Sequence, residues 1–231
     1  MNRTACLFAA AVVLICLADG VAVAACRDSP EPGVDWSNCD KTKVMLRGDD
    51  LRNANLTSAD VSRADLAGAD LSGATLVDAT LTRTRLSGAK LVGADLSKAM
   101  FDRANLAAAD LSGAVMVKTE FQRANLAETN LSGGNLEKAE FGRATLTAAN
   151  LAGANLTGAY LSRADLRNAV LTDADLSEAD FGRADLRGAD LSQARNLLQA
   201  QIDESCGDDA TRLPAGLAPP ASWPCATAEE E

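Results

Sequence analysis

Residues 101–126 read FDRANLAAADLSGAVMVKTEFQRANL. A large apolar residue returns at every fifth position: Phe101, Leu106, Leu111, Met116, Phe121 and Leu126. The longer phrase Phe-x-Arg-Ala-Asn-Leu returns only after twenty residues, at 101 and again at 121. No regular element has this short period. Five residues advance an α-helix by about 140°, which smears the apolar stripe around the cylinder. On a flat strand an odd step alternates faces. A chain that keeps every fifth side chain inside must turn a corner in each pentad, and a closed path of such corners is a solenoid. The twenty-residue period then counts four pentads per lap.

The rhythm holds from Leu46 to Leu191 through thirty pentads without a skipped residue. The central position is Leu in 24 of them, the others being Val61, Phe101, Met116, Phe121, Phe141 and Phe181. Two residues earlier stands Ala, again in 24, with Val44, Asp49, Thr84, Thr119, Thr129 and Gly134 as exceptions. Leu and this small Ala are the expected interior. Asp or Asn mostly separates them and is expected outside, shaping turns. Residues twenty apart stack on one of four sides. Phe101, Phe121, Phe141 and Phe181 share a file, as do Lys98, Lys118 and Lys138, and Gly73, Gly93, Gly113, Gly133 and Gly153. The Phe file is expected to fill the core, and the Gly file to serve a corner that needs positive φ. Arg63, Arg83, Arg103, Arg123, Arg143, Arg163 and Arg183 form a further file; seven arginines sharing one side of four by accident is roughly a one-in-four-thousand event in such an array.

Composition agrees with a repeat. Only 3% of the 231 residues are aromatic, so one packing solution must be used many times. The net charge of −10 lacks the basic footprint of a general nucleic-acid binder. Catalysis finds little foothold: the chain has no His, and its glycines, the pair Gly133-Gly134 apart, stand singly at turn spacing rather than in a phosphate-cradling loop. A metal site would lack both His and a close Cys-x-x-Cys pair. No enzyme activity, small-molecule substrate, cofactor or metal is therefore expected.

The ends differ from the array. Residues 1–25 read as a signal peptide: Arg3, a thirteen-residue apolar run from Ala5 to Leu17, and small residues before Cys26. That run is too short to span a bilayer, and no later one is longer. The protein is thus expected to be periplasmic or secreted, with a lipid anchor at Cys26 as the alternative to simple cleavage. Cys26, Cys39, Cys206 and Cys225 remain after the leader and permit three pairings. A long rigid body between the clusters favours Cys26 with Cys39 and Cys206 with Cys225. Residues 26–45 are expected as an N-terminal cap, with Val34 and Trp36 in inward phase and Lys41 breaking the pattern. Residues 46–193 form the repeat body. In 194–231, Leu197, Leu198 and Ile202 have helical spacing, so a short helix and an irregular cap are expected to cover the Leu-rich end.

The segments ADLAGADLSGATL, ANLAGANLTGAYL and ADLSEADFGRADLRGADL resemble the Ala-(Asp/Asn)-Leu-x-x motif of the pentapeptide-repeat family. PGVDWSNC and QAQIDESCGDDATRLPAGL are similar to segments flanking the repeats in exported bacterial members. The resemblance implies an all-β solenoid, a right-handed quadrilateral β-helix of four pentapeptides per coil. About 7.5 coils at a spacing of about 4.8 Å would make a rod on the order of 36 Å long.

The Arg file is the surface feature that could carry function. Guanidiniums about 4.8 Å apart repel by about 0.9 kcal/mol even in water. Asp60, Glu120, Glu140 and Asp180 stand three residues before an Arg of the file, and Asp102 directly before one, so local cancellation is expected. The functional alternative is a strip for an anionic polymer or an acidic protein, with Tyr160, Val115, Val117 and Val170 adding a sticky patch. Residues 80–145 carry nine basic and seven acidic groups, while 46–79 and 146–193 are each net −3. The expected role is a non-catalytic exported rod that presents a rigid surface to a protein or anionic-polymer partner of unknown identity. Family resemblance adds an alternative, a mimic of duplex DNA acting on a topoisomerase. The leader and the Arg file both oppose that alternative.

Overall fold

The computed structural model describes residues 26–224. The expected leader, 1–25, lies outside them, as do Cys225 and the acidic finish. The backbone is a four-sided coil. Parallel bridges join residues twenty apart, from Asp35 with Asn55 to Asp175 with Arg195. The central Leu and the preceding Ala line the interior, where Leu51, Leu71, Leu91 and Leu111 are wholly buried.

One pentad accounts for all its amides, which explains the motif. The Leu71 amide donates to the Lys90 carbonyl on the next lap (2.7 Å), and the Gly73 amide to Val92 (2.9 Å). Ala74 closes a turn onto Leu71 (3.0 Å), and Thr75 donates back to Ala54 (2.9 Å). The remaining amide, that of Ser72, donates to the Asp70 carboxylate at 3.0 Å. Asp or Asn before the Leu is thus an acceptor for the corner. Asn105, Asn125 and Asn130 make the same bond as carboxylates do.

Positive φ is a requirement of all four corners, not of the glycine corner alone. Gly73 has φ 68°, but Asn53 (57°), Asp78 (58°) and Arg103 (55°) hold the same left-handed conformation. For a residue with a Cβ that conformation costs about 1 kcal/mol or more.

Departures from Leu and Ala are compensated inside. Thr84, Thr119 and Thr129, fully buried, donate their hydroxyls to the carbonyls of Val61, Leu96 and Leu106. Phe101, Phe121 and Phe141 stack in succession with ring centroids 5.1 Å apart. Phe181, wholly buried, stands two laps beyond them, with Leu161 between.

The N-terminal segment read as a cap is largely coil. The first turn closes from Val34 onto Glu31, and Trp36 and Lys41 donate their amides to Asn55 and Asp60 on the following lap. Trp36 and Lys41 occupy inward positions. The Lys41 ammonium lies 3.7 Å from the Trp36 ring centroid, and burial pushes its pKa down while Asp28 opposes that. Cys26 is bonded to Cys39, with Cα atoms 5.4 Å apart, and the Trp36 indole donates to the Asp28 carbonyl at 3.3 Å.

At the other end the helix is a single turn, Gln199–Ile202. Ile202 is buried and Leu197 nearly so, but Leu198 is exposed, because the turn starts after it. Gln201 closes the last lap: its amide nitrogen donates to the carbonyls of Leu176 and Ala179, both at 2.8 Å. The chain then bridges Cys206 to Asp185 and Arg212 to Asp190. Trp223 lies over Gly207, where a Cβ would collide with the ring, and donates its indole N–H to Ser205 (2.9 Å). Cys206 is disulfide-bonded; its expected partner, Cys225, is outside the described residues.

Candidate anion-binding wall

The bridge positions 60, 80, 100, 120, 140, 160 and 180 run up one wall of the coil. In sequence each lap of this wall reads corner, Ala or Thr, outward residue, inward residue, corner. Its leading edge carries Lys98, Lys118 and Lys138, and its trailing edge carries the Arg file. All seven arginines share the left-handed corner conformation, with φ between 55° and 59°. Lys43, φ 60°, extends the same edge into the first lap. Sequence reasoning missed Lys43 because that lap was read as a cap.

This wall departs from the motif. Thr80, Met100, Glu120, Glu140 and Tyr160 replace the turn-making Asp or Asn on five successive laps. Each of the other three walls loses that residue on isolated laps only. Five consecutive amide acceptors are thus given up along the wall that carries cations on both edges. The signal was present in the sequence, in the residues one before each Phe or Leu of this file.

Among the described residues the expected cancellation of the Arg file occurs at Asp102 alone, which pairs with Arg103 at 3.7 Å. Asp60 and Asp180 instead accept the amides of Ser62 (2.9 Å) and Gly182 (2.8 Å). Glu140 accepts from the Gln122 side chain at 2.8 Å, and both Glu120 and Glu140 line a groove beside the lysines. Asp60 and Asp180 thus turn to backbone donors and Glu140 to the Gln122 side chain, and apart from Arg103 the guanidiniums of the file are left facing solvent. Elsewhere arginines do pair: Arg52 with Asp50, Arg167 with Asp165 and Arg187 with Asp185, at 2.6, 2.7 and 2.6 Å. The Asp50 carboxylate, bonded first by the Arg52 side chain, is held below its ordinary value.

Two grooves follow the Arg edge. Toward the C-terminus one of about 680 Å³ is lined by Arg123, Arg143, Arg163, Arg183 and Tyr160, with Asp180 and Glu204 at its end. Toward the N-terminus a second, about 470 Å³, holds Lys43, Arg63 and Arg83 with Asp60 and Asp102. Tyr160 is 47% exposed, and its ring lies against the Gly142 corner, 3.2 Å from where a Cβ would stand. Val115 and Val170 are also exposed but belong to two other walls, so they form no patch with Tyr160. Val117 is only half-exposed. Among the described residues no cluster of His, Cys, Asp or Glu could hold a metal ion, and no helix is long and apolar enough to cross a membrane.

These features define a four-sided β-helix with one cation-edged wall. A family model, Pentapeptide repeats (8 copies), matches residues 50–88, 79–116, 124–163 and 154–193, more than half of the chain. The chain belongs to the pentapeptide-repeat family. Among solved structures it is similar to trypsin-treated QnrB1, a plasmid-mediated fluoroquinolone resistance protein, at 19% identity and TM-score 0.67, covering 80% of this chain and 88% of that one. The shared architecture is the right-handed quadrilateral β-helix. HetL, a pentapeptide repeat protein involved in heterocyst differentiation regulation from the cyanobacterium Nostoc sp. strain PCC 7120, matches at 29% identity over 89% and 90% of the two chains, with TM-score 0.34. A pentapeptide repeat protein of the Arabidopsis thaliana thylakoid lumen matches at 28% over 46% and 66%, with TM-score 0.39. No curated protein matches significantly.

Proposed function

We propose that the protein is a non-catalytic, exported rod whose cation-edged wall holds an anionic partner, either the acidic face of a protein or an anionic polymer. The observation that supports this reading is the unpaired state of the Arg edge. Off the wall, Arg52, Arg167 and Arg187 sit within 2.7 Å of a carboxylate, Arg47 and Arg85 flank Asp65 at 3.8 and 3.5 Å, and Arg195 bonds the Asp173 carbonyl. Six of the seven on the wall have no carboxylate within ion-pair distance among the described residues. Each also holds a backbone conformation that glycine adopts more easily.

A charge-matched comparison tests the reading. One variant carries Arg123, Arg143, Arg163 and Arg183 as Gln; a control carries Arg52, Arg85, Arg167 and Arg187 as Gln, with the same net charge. Binding to anionic polymers and acidic proteins should disappear in the first and persist in the second. Equal loss in both would reduce the wall to a solubility feature. Export is tested separately by the N-terminal mass of the protein recovered from its own cells, expected to begin near Cys26.

The net charge of −10 favours a second reading, a mimic of duplex DNA that acts on a topoisomerase, as the family resemblance implies. Cytosolic recovery of an uncleaved chain, with protection of a topoisomerase from a drug, would select it over the anionic-partner reading.

A further inference from the structure

The groove around Tyr160 is the part of the wall with the most specific chemistry. Tyr160 stands where the motif places Asp or Asn, so its ring does nothing for the turn. It lies across Gly142, a corner with no side chain to lift it off the surface. Ser162 turns its hydroxyl to the Gly182 carbonyl (2.9 Å), and Asp180 is engaged by the Gly182 amide (2.8 Å), so the next corner is also kept low. A flat half-exposed ring therefore sits among four arginines on successive laps, in a groove that runs along the axis.

We propose that this groove binds a carboxylated polysaccharide, a polyuronate laid along the coil axis. A pyranose ring would stack its C–H face on Tyr160, with carboxylates on Arg143 and Arg163. This deepens the anionic-partner reading and rests on it. The lap spacing supports the choice: centroids of the stacked Phe rings behind this wall repeat every 5.1 Å, similar to the length of one sugar unit. A carboxylate on the sugar face turned to the wall meets a guanidinium of the edge, in the bidentate geometry that pair favours. An extended acidic peptide carries same-face carboxylates about every 6.7 Å but no saturated ring face to lay on the half-exposed Tyr160. Duplex DNA carries a charge about every 1.7 Å, which a chain of net −10 would repel along most of its surface. Sparse charge on a ring-bearing polymer fits both the edge and the aromatic.

The test measures binding of the purified protein to four polymers over a salt series: polygalacturonate, its methyl ester, polyglutamate and single-stranded oligothymidylate. Polygalacturonate should bind and its ester should not. Arg143→Gln and Arg163→Gln should each weaken binding about tenfold, the loss of a charge-assisted pair. Tyr160→Ala should also weaken it about tenfold, while Tyr160→Phe retains it, as ring stacking requires. Melting curves confirm that each variant is folded. Binding of the ester, or indifference to Tyr160→Ala, overturns the polyuronate site. Preference for polyglutamate or oligothymidylate overturns it too but leaves the anionic-partner reading standing. Failure to bind any of the charged polymers, together with no acidic protein partner, overturns both.

Discussion

The Met116 methyl group occupies space that Ala would claim at position 134: a Cβ on Gly134 would lie 2.8 Å from Cε. Met replaces Leu, and Gly replaces Ala, at neighbouring inward positions, so a longer side chain and a missing methyl compensate one another. Gly134→Ala alone should destabilise by about 1–2 kcal/mol through overpacking, and Met116→Leu alone by about 1 kcal/mol. The double variant restores the motif and should cost less than the sum. A thermal double-mutant cycle measures this coupling; strict additivity would refute the shared volume.

Acid should loosen the corners. The Asp70 carboxyl is held below its ordinary value first by the Ser72 hydroxyl, Asp35 by the Ser37 amide and Asp40 by the Thr42 amide, despite some desolvation. A carboxyl depressed in the folded state adds stability above its unfolded value and loses it as pH falls through the folded one. Melting temperature should therefore hold steady down to about pH 4.5 and fall below about pH 4. Changing Asp35, Asp40 and Asp70 to Asn keeps the acceptor without the charge, so the triple variant should show a shallower acid limb.

Gln201 and Gln199 differ in what their loss uncovers. Gln201→Ala leaves the Leu176 and Ala179 carbonyls without the side-chain donor that closes the last lap, and should cost about 2 kcal/mol. The exposed Gln199 bonds Asp203 and Ala218, and Gln199→Ala should cost less than about 1 kcal/mol. Chemical denaturation of the two variants checks the order, and hydrogen exchange should place the Gln201→Ala loss in the final lap.

Arg123 holds φ 56° with no ion pair among the described residues, so the fold gains little from it. Arg123→Gly should leave stability unchanged or raise it by up to about 1 kcal/mol, relief of the left-handed corner outweighing the added chain entropy. A clear loss of stability would make the arginine a structural support instead.

The lap was legible because no helix or strand can keep Leu46, Leu51 and Leu56 on one side. Stacking of Phe101 on Phe121 followed from the same count. Contacts between side chains were less legible. Spacing put Asp60 and Asp180 near Arg63 and Arg183, but their oxygens satisfy the amides of Ser62 and Gly182, whose unmet bonds are the more costly. The first lap was hidden because Trp36, Cys39 and Lys41 stand where Leu, Ala and Leu were expected. Tyr160 was seen, but its place over Gly142 depends on a ring direction that spacing does not specify.

The most direct measurement is elution from a weak carboxylate cation exchanger at neutral pH. A protein of net charge −10 and isoelectric point near 4.6 should flow through such a resin unless its cations are gathered on one surface. Retention at low salt is expected, with release as salt rises, and the variant with Gln at 123, 143, 163 and 183 should pass unretained. Flow-through of the unaltered protein, or equal retention of that variant, would contradict the wall.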